Sequence, residues 1–304
     1  MGVVSASATL GAVIPLLWIN LRRHERRRRR MAWALNEGGW WHERIEAVDA
    51  QDPSHCLLPF ANPLQAGNDL PGIQRSSEAD PSRRVLRGEL ACMASWLRAL
   101  CRGEQLLRER GLTHLLILED DSGASLACPE LWPFSLPQLI EDLDQRSASH
   151  GMPWGVVQLL ATSQKAQRLL LDRWRSSAGT EFACARGLVR SGGTGAVLLH
   201  RRALPWLLNS LQRWLWRLGW PLHLLVHPRG VRPVADKWLY GSLPAAAVWV
   251  VAYPLFCLDA CDSAIHPDHI VAYHLPSRSL TLQTWVDDGR LRLLEAQQQW
   301  DAIL

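Results

Sequence analysis

Three adjacent carboxylates, Glu119-Asp120-Asp121, are the residues of this chain best suited to chemistry. They follow the apolar run at residues 115–118, which is typical of a strand buried on both faces of a parallel sheet. Adjacent carboxylates repel one another, so they must face water, a cation or a positively charged ligand. Ligands of α/β proteins gather at the carboxyl ends of strands. The cluster is therefore a candidate divalent-cation site that serves a substrate phosphate, with a solvated turn or helix cap as the alternative.

A run of seven arginines at residues 22–30 follows a strand predicted near residues 13–21. It begins a helix that we expect to end near Gly38-Gly39. Arginines at a helix N-terminus oppose the macrodipole and one another, and an anion there relieves the repulsion. The run is a candidate phosphate site or a solvated basic face on acidic lipid headgroups, and helical spacing points its members in different directions.

The remaining pattern predicts an α/β protein, because helices and apolar strands alternate along the chain. The strongest helix is amphipathic and covers residues 88–110. The other predicted elements are a strand at 45–49, a long loop at 51–81, a helix from Ser135 to 143, strands at 155–160 and 196–200, a helix at 203–218 and a late core strand at 245–256. The last fifty residues give weak signals.

Composition restricts the class of protein further. With 304 residues, of which 48% are hydrophobic, the chain is globular rather than disordered. Seven scattered cysteines argue against a disulfide framework. The N-terminus lacks a basic region typical of a secretory signal, and the apolar stretch at 8–21 is short for a spanning helix. We therefore expect a cytoplasmic protein, with a membrane anchor as the less favoured interpretation and peripheral contact with the inner face of the membrane through Arg22–Arg30 left open.

Taken in order, several segments resemble glycosyltransferase family 25, which includes bacterial lipopolysaccharide galactosyltransferases and collagen galactosyltransferases. The similar segments are WINL at 18–21 with Arg27, Arg28 and Met31 after it, RIEAVDA at 44–50, GELACMAS at 88–95, LILEDD at 116–121, GTGAVLL at 193–199 and PVAD at 233–236. The resemblance covers residues 13–262. It places a glycosyltransferase domain at 1–262 and a C-terminal extension packed on it at 263–304.

The resemblance implies a GT-A-like nucleotide-sugar-binding fold, with a mostly parallel sheet flanked by helices. It also implies a UDP-hexose donor, Mn²⁺ or Mg²⁺, inversion at the anomeric carbon and a glycan or lipid-linked saccharide acceptor, with galactose or glucose as the sugar and lipopolysaccharide biosynthesis as the setting. Two departures stand out. The family usually has His where this chain has Trp96, and its Pro-x-Asp element is stretched by one residue before Asp236.

The site residues follow from this combination. Asp121 is expected to bind the metal directly, with Glu119 and Asp120 on metal-bound waters or the sugar. Glu119 is the second candidate metal ligand, because alternate residues of a strand point the same way. Asp236 is the candidate general base, with a helix-capping aspartate as the alternative. Trp154 is a candidate platform for a sugar face, although most tryptophans are expected in the core. Donor contacts are assigned to Asn20, Arg27, Arg28, Glu119, Asp120, Gly193, Thr194 and Gly195, and a plain turn is the alternative for the glycine segment.

Three other functions compete with the transferase. The first is a non-catalytic glycosyltransferase-like scaffold at the membrane surface. The second is a nucleic-acid binder using residues 22–30, which the nearby carboxylates oppose, so no nucleic-acid partner is expected. The third is a zinc site built from Cys257, Cys261, His266 and His269, whose spacing matches no strong zinc pattern.

Overall fold

The computed structural model describes residues 14–52, 73–74, 85–149, 151–209, 234–259, 265 and 267–303. Strands and helices alternate through most of this part of the chain. The elements are β1 (Leu16–Asn20), α1 (Glu25–Glu37), β2 (His42–Glu46), β3 (Ile73–Gln74), β4 (Val85–Leu86), α2 (Arg87–Arg110), β5 (His114–Glu119), α3 (Leu136–Ser149), β6 (Val156–Gln158), α4 (Gln164–Ser176), β7 (Ala183–Ala185), β8 (Ala196–His200), α5 (Ala235–Gly241), β9 (Val248–Val251), α6 (Leu275–Asp287) and α7 (Leu291–Ala302).

Seven strands form one mixed sheet in the order β2-β1-β5-β8-β6-β9-β7, and β3 pairs separately with β4. The pairs β1–β2, β1–β5 and β6–β9 are parallel, whereas β8 and β7 run antiparallel to their neighbours. Only two of the seven strands are thus reversed. The predicted α/β class, with a mostly parallel sheet flanked by helices, is confirmed.

The reversal of β8 decides which loop reaches the ligand-facing edge of the sheet. Leu118 at the end of β5 pairs with Ala196 at the beginning of β8, and Gln158 at the end of β6 pairs with Val197. The segment that leads into β8 therefore lies beside the carboxyl ends of β5 and β6. This is how residues 191–195 come close to Glu119.

The two faces of the sheet bury separate apolar clusters. In β5, Leu116 and Leu118 belong to the cluster that includes Trp285 and Trp300, whereas Leu115 and Ile117 belong to the one beneath α2 and α5. This alternation is the period of two expected for a strand. The prediction that the run before Glu119 is buried on both faces is confirmed, because all four residues are 0% exposed.

Several predicted boundaries are correct and others are wrong. The first strand, the helix ending before Gly38-Gly39, the helix at 88–110 and the strand at 196–200 are confirmed, and Gly39 has a φ of +65°. The strand predicted at 45–49 lies earlier, at 42–46, because His42 is the residue that pairs with Leu16. The predicted strands at 155–160 and 245–256 are shorter, and the helix after Ser135 continues to Ser149.

The two longest helices of the C-terminal region, α6 and α7, lie where the sequence pattern is weak. The apolar pattern of α6 is faint because three of its four buried side chains are Ser277, Thr281 and Thr284. Trp285 of α6 and Trp300 of α7 nevertheless join the large apolar cluster. Helix α4 and strand β7 were also not predicted.

Some expectations fall partly outside the described residues. The predicted helix at 203–218 is helical over 203–209, and most of the predicted loop at 51–81 is not described. Of the helices in the described ranges, none is long and apolar enough to span a membrane.

Candidate ligand site at the carboxyl edge of the sheet

Glu119 is the last residue of β5, and hydrogen bonds fix one of its carboxylate oxygens. Oε1 accepts from Nε1 of Trp96 at 2.8 Å and from Oγ1 of Thr194 at 2.5 Å. The Cys92 thiol lies 3.9 Å from the same oxygen. Burial raises the pKa of Glu119, although the bonds from Thr194 and Trp96 act in the opposite direction.

Asp120 turns the other way, toward α1. Its Oδ2 accepts from Nδ2 of Asn20 at 2.5 Å, and its Oδ1 forms an ion pair with Nη1 of Arg27 at 2.9 Å. Asn20 is 1% exposed, and its side-chain Oδ1 accepts from Nη1 of Arg44 at 3.0 Å. Asn20 therefore holds Asp120 in place.

Asp121 is the carboxylate whose surroundings suit a cation. Its Oδ1 is buried and has no hydrogen-bond partner within the described ranges. Burial raises the pKa of Asp121 to about 8; Arg27 partly offsets this, and Glu119, Asp120 and Asp259 reinforce it. A buried carboxyl oxygen without a partner is costly, and a cation removes that cost. The chemistry of this residue therefore fits Mn²⁺ or Mg²⁺.

The expected pairing of Glu119 with Asp121 on one metal gains no support from the strand. Because β5 ends at Glu119, the alternation of side chains does not extend to Asp121. In the described part of the chain, no group of three or more His, Cys, Asp or Glu residues is arranged to hold a metal ion. Oxygens of the ligand and water would complete the coordination of a cation at Asp121, since Mg²⁺ usually keeps several waters and is bound by one or two carboxylates.

The loop before β8 is held by a polar network that binds its carbonyl groups. Nε2 of Gln158 donates to the carbonyl oxygens of Gly192 at 2.8 Å and Gly193 at 3.2 Å, and the Tyr240 hydroxyl donates to Gly193 at 3.0 Å. Arg186 donates to Oε1 of Gln158 at 3.0 Å and to the carbonyl oxygen of Ser191. Because the carbonyl and the next N–H of a trans peptide point in opposite directions, this network turns the following N–H groups away from it.

Asp236 lies next to this loop in the first turn of α5. Its Oδ2 accepts from the backbone nitrogen of Gly193 at 3.3 Å and lies 3.6 Å from Nζ of Lys237. Its Oδ1 is buried without a hydrogen-bond partner among the described residues. The alternative interpretation as a helix cap is wrong, because Val234 is the N-cap residue and no side chain caps the helix.

The glycines on either side of Thr194 lie close to neighbouring side chains, and the turn alternative for this segment stays open. Gly193 has a φ of +87°, and a Cβ there would lie 2.5 Å from Cγ2 of Thr162. A Cβ at Gly195 would lie 2.7 Å from Cδ2 of Leu160. The carbonyl oxygen of Gly195 accepts from the backbone nitrogen of Glu119 at 2.9 Å, which ties the loop to the end of β5.

The arginine run divides among separate tasks, as helical spacing predicted. Arg27 points at Asp120, whereas Arg28 is 35% exposed and pairs with Glu25 of its own helix at 3.2 Å. Arg30 is buried and pairs with Asp259. Arg26 binds the carbonyl oxygens of Asp301 and Ile303, and Arg23 pairs with Asp49. Of the two arginines predicted to hold a diphosphate, only Arg27 lies at the carboxylate cluster.

Most predicted site residues are brought together, and two are not. Asn20, Arg27, Glu119, Asp120, Gly193, Thr194, Gly195 and Asp236 are joined by the contacts above, and Asp121 is next to them. Arg28 is turned away. Trp154 is fully buried and donates to Asp144 at 2.7 Å, so it is a core residue rather than a sugar platform.

Sequence reasoning missed the residues that hold the site in shape. In the sequence, Trp96 stands out only as a departure from the family's histidine, whereas in the structure its indole N–H donates to Glu119. Gln158, Arg186 and Tyr240 belong to no sequence motif, yet they hold the loop before β8. A glutamine that ends the apolar run at 156–158 was the available signal, since a buried polar side chain needs partners.

The two described residues of the alternative zinc site, Cys257 and His269, do not support zinc binding. Burial raises the pKa of Cys257 to about 12, which disfavours the thiolate that zinc requires. Its Sγ lies 3.9 Å from Arg278. Cys261 and His266 lie outside the described residues, and His269 contacts the ring of Tyr273.

Comparison with known proteins supplies no further identification. No protein-family model matches the chain, and no match to a curated protein was found. The resemblance to glycosyltransferase family 25 therefore rests on the quoted segments alone.

Proposed function

We propose that this protein is a metal-dependent glycosyltransferase with a GT-A-like fold. It transfers a hexose, galactose or glucose, from a UDP-sugar to a hydroxyl of a glycan or lipid-linked saccharide, with inversion. The observation that carries the proposal is the buried, unpartnered Oδ1 of Asp121 at the carboxyl edge of the sheet, close to Arg27. The motif resemblance, the α/β class and the mostly parallel sheet support it.

The donor end of the site follows from the charges at this edge. Mn²⁺ or Mg²⁺, when bound, neutralises the charge that develops on a nucleoside diphosphate leaving group. Asp121 provides the carboxylate that holds the cation. Arg27 adds a fixed positive charge beside it, although one of its nitrogens is already used by Asp120. Asn20 keeps Asp120 and Arg27 in register with the end of β5.

The acceptor end requires a base on the other side of the transferred sugar. An indole cannot take up a proton at physiological pH, so Trp96 cannot serve as that base. Asp236 is the remaining candidate next to the glycine loop, and its unpartnered Oδ1 is the atom that receives the proton. Peripheral contact with an anionic membrane would use the exposed arginines of the run, such as Arg22 and Arg29.

The test is a thermal-shift and turnover experiment. UDP with Mn²⁺ should raise the melting temperature, because a ligand that binds the folded state stabilises it by about 2.7 kcal/mol at 100 times its Kd. UDP-galactose or UDP-glucose should be hydrolysed slowly with Mn²⁺. Asp121→Ala should abolish both effects, and Asp142→Ala, which removes a partly exposed carboxylate from α3, should preserve them.

Other outcomes favour the competing functions. A scaffold would gain no stability from UDP and Mn²⁺. A nucleic-acid binder would show DNA binding that weakens steeply with salt and that Asp121→Ala leaves intact. Either result, with no turnover of a UDP-sugar, would overturn the transferase proposal.

A further inference from the structure

Trp96 is a buried side chain that contacts Glu119 from the apolar core. It belongs to α2, is 0% exposed and sits in the apolar cluster beneath that helix. Its single polar atom, Nε1, is aimed at Oε1 of Glu119 at 2.8 Å. An indole N–H can only donate, so this contact has a fixed direction.

Three polar groups converge on the same oxygen of Glu119. Thr194 donates to Oε1 from the loop before β8 at 2.5 Å, and the Cys92 thiol lies 3.9 Å from the same oxygen, one helical turn before Trp96. Oε2 takes part in none of these bonds, and Glu119 is partly exposed. The two short bonds come from different elements, α2 and the loop before β8, so together they fix the rotation of the carboxylate about its last bond.

We infer that Trp96 is a positioning residue: it locks Glu119 so that Oε2 faces the ligand as a fixed acceptor for a hydroxyl group or a metal-bound water. This inference rests on the proposed function for the identity of the ligand, although the Trp96–Glu119 contact can be tested without any ligand. A carboxylate held in this way does not have to be ordered when the ligand binds. Without the indole N–H of Trp96, part of the entropic cost of ordering this carboxylate falls on ligand binding.

The chain offers a matched control for Trp96. Trp154 is also 0% exposed, and its Nε1 also donates to a carboxylate, Asp144, at 2.7 Å. It precedes β6 and therefore lies at the opposite edge of the sheet from Glu119. Trp96→Phe and Trp154→Phe remove the same N–H and similar volume, so the difference between them isolates the effect on the site.

The first measurement follows the indole N–H signals by NMR. Trp96→Phe and Trp154→Phe assign the two signals by their disappearance. Glu119→Ala should move the Trp96 signal upfield and leave the Trp154 signal in place. Asp144→Ala should move the Trp154 signal upfield and leave the Trp96 signal in place. A Trp96 signal that does not respond to Glu119→Ala would overturn the inference, whatever the protein's activity.

The second measurement is turnover of the UDP-sugar with Mn²⁺. Trp96→Phe should lower kcat by about 10- to 100-fold, which is the usual effect of losing a hydrogen bond that orients a ligand-binding group. The kcat of Trp154→Phe should stay near the wild-type value. Trp96→His, which restores an N–H donor, should recover part of the loss. Equal kcat values for the two Phe variants would refute the positioning role and leave the transferase standing. Failure of the wild type to turn over any UDP-sugar counts against the proposed function, and the NMR result still decides whether Trp96 holds Glu119.

Discussion

Arg30 and Asp259 form an ion pair that is almost completely withdrawn from water, with side chains 2% and 1% exposed and Nη1 2.5 Å from Oδ2. The pair connects α1 to the segment after β9. The backbone nitrogen of Asp259 also donates to the carbonyl oxygen of Asp121 at 2.5 Å, so the pair directly supports the candidate metal ligand.

Removal of one partner of this pair should strongly destabilise the protein, because it leaves a buried charge uncompensated. Arg30→Met should lower the free energy of unfolding by about 3–5 kcal/mol. Arg102→Met is the comparison, since Arg102 and Glu43 are about one-third exposed and such pairs contribute roughly 1 kcal/mol or less. Denaturant unfolding of both variants measures the difference. Similar losses in the two variants would show that the Arg30 pair is not withdrawn from water.

The pH dependence of stability should carry the signature of Asp121. The pKa of its carboxyl in the folded protein is about 8, against an ordinary value of 3.8. Between these two values the unfolded chain is ionised at this residue while the folded protein holds the proton. In the absence of metal, the contribution of Asp121 to the free energy of unfolding should therefore be largest at low pH. It should fall as the pH rises toward 8 and level off above that value.

Asp121→Asn removes this ionisation, so the variant should lose that slope and be more stable than the wild type near pH 8. Stabilisation of the wild type by Mn²⁺ should increase up to pH 8, because the cation competes with the proton. Unfolding curves at several pH values measure both effects. A slope in Asp121→Asn identical to that of the wild type would contradict the assignment.

Gly193 should tolerate no side chain, for two separable reasons. Its φ of +87° strains any L-residue, and a Cβ would lie 2.5 Å from Cγ2 of Thr162. Gly111 has a φ of +66° and open space around its Cβ position, so Gly111→Ala measures the backbone effect alone, about 1 kcal/mol. Gly193→Ala should cost a further ~1–3 kcal/mol through overpacking.

The steric part should be reversible by a second change. Thr162→Ser removes the methyl group that a Cβ at Gly193 meets while keeping the hydroxyl that donates to Gly192 at 3.0 Å. The double variant should therefore recover stability relative to Gly193→Ala alone, as measured by thermal unfolding. No recovery would mean that backbone strain accounts for the whole loss.

Arg27 and Arg28 should differ sharply in their effect on nucleotide binding. Arg27 is at the carboxylate cluster, whereas Arg28 is paired with Glu25 on the surface of α1. Arg27→Met should weaken UDP binding in the presence of Mn²⁺ by about 10- to 100-fold, since a hydrogen bond to a charged group contributes roughly 1.5–3 kcal/mol. Arg28→Met should bind nearly as the wild type does. Titration calorimetry distinguishes the two, and an equal loss in both would show that the run acts as a diffuse charge.

The elements that were predictable are those whose patterns are local. The four aliphatic residues before Glu119 predicted β5, and the three- and four-residue apolar spacing predicted α2. Strand β7 has only three residues, too few for a period to be recognised. The buried face of helix α6 is hard to recognise because three of its members are serine or threonine, and Thr281 accepts a hydrogen bond from buried Gln167.

The sequence pattern predicts which residues belong to the candidate site, but not the hydrogen-bond partners that orient them. The carboxylate triplet and the glycine segment stand out in the sequence, and both lie at the same edge of the sheet. The directions of Glu119 and Asp120 depend on Trp96 and Asn20, which are 23 and 100 residues away from them in the chain. Such contacts depend on sheet order, which a single sequence leaves open because β8 inserts between β5 and β6.

The pairing of β5 with β8 makes the assembly of the site a question of strand alignment. Thr194 meets Glu119 only because Leu118 stands opposite Ala196. A slip of one residue between these strands shifts them by about 3.3 Å and exchanges their inward and outward side chains. A misaligned sheet could keep most of its helices yet separate the threonine hydroxyl from the carboxylate, so helical content alone would be a poor test of whether a refolded sample is competent.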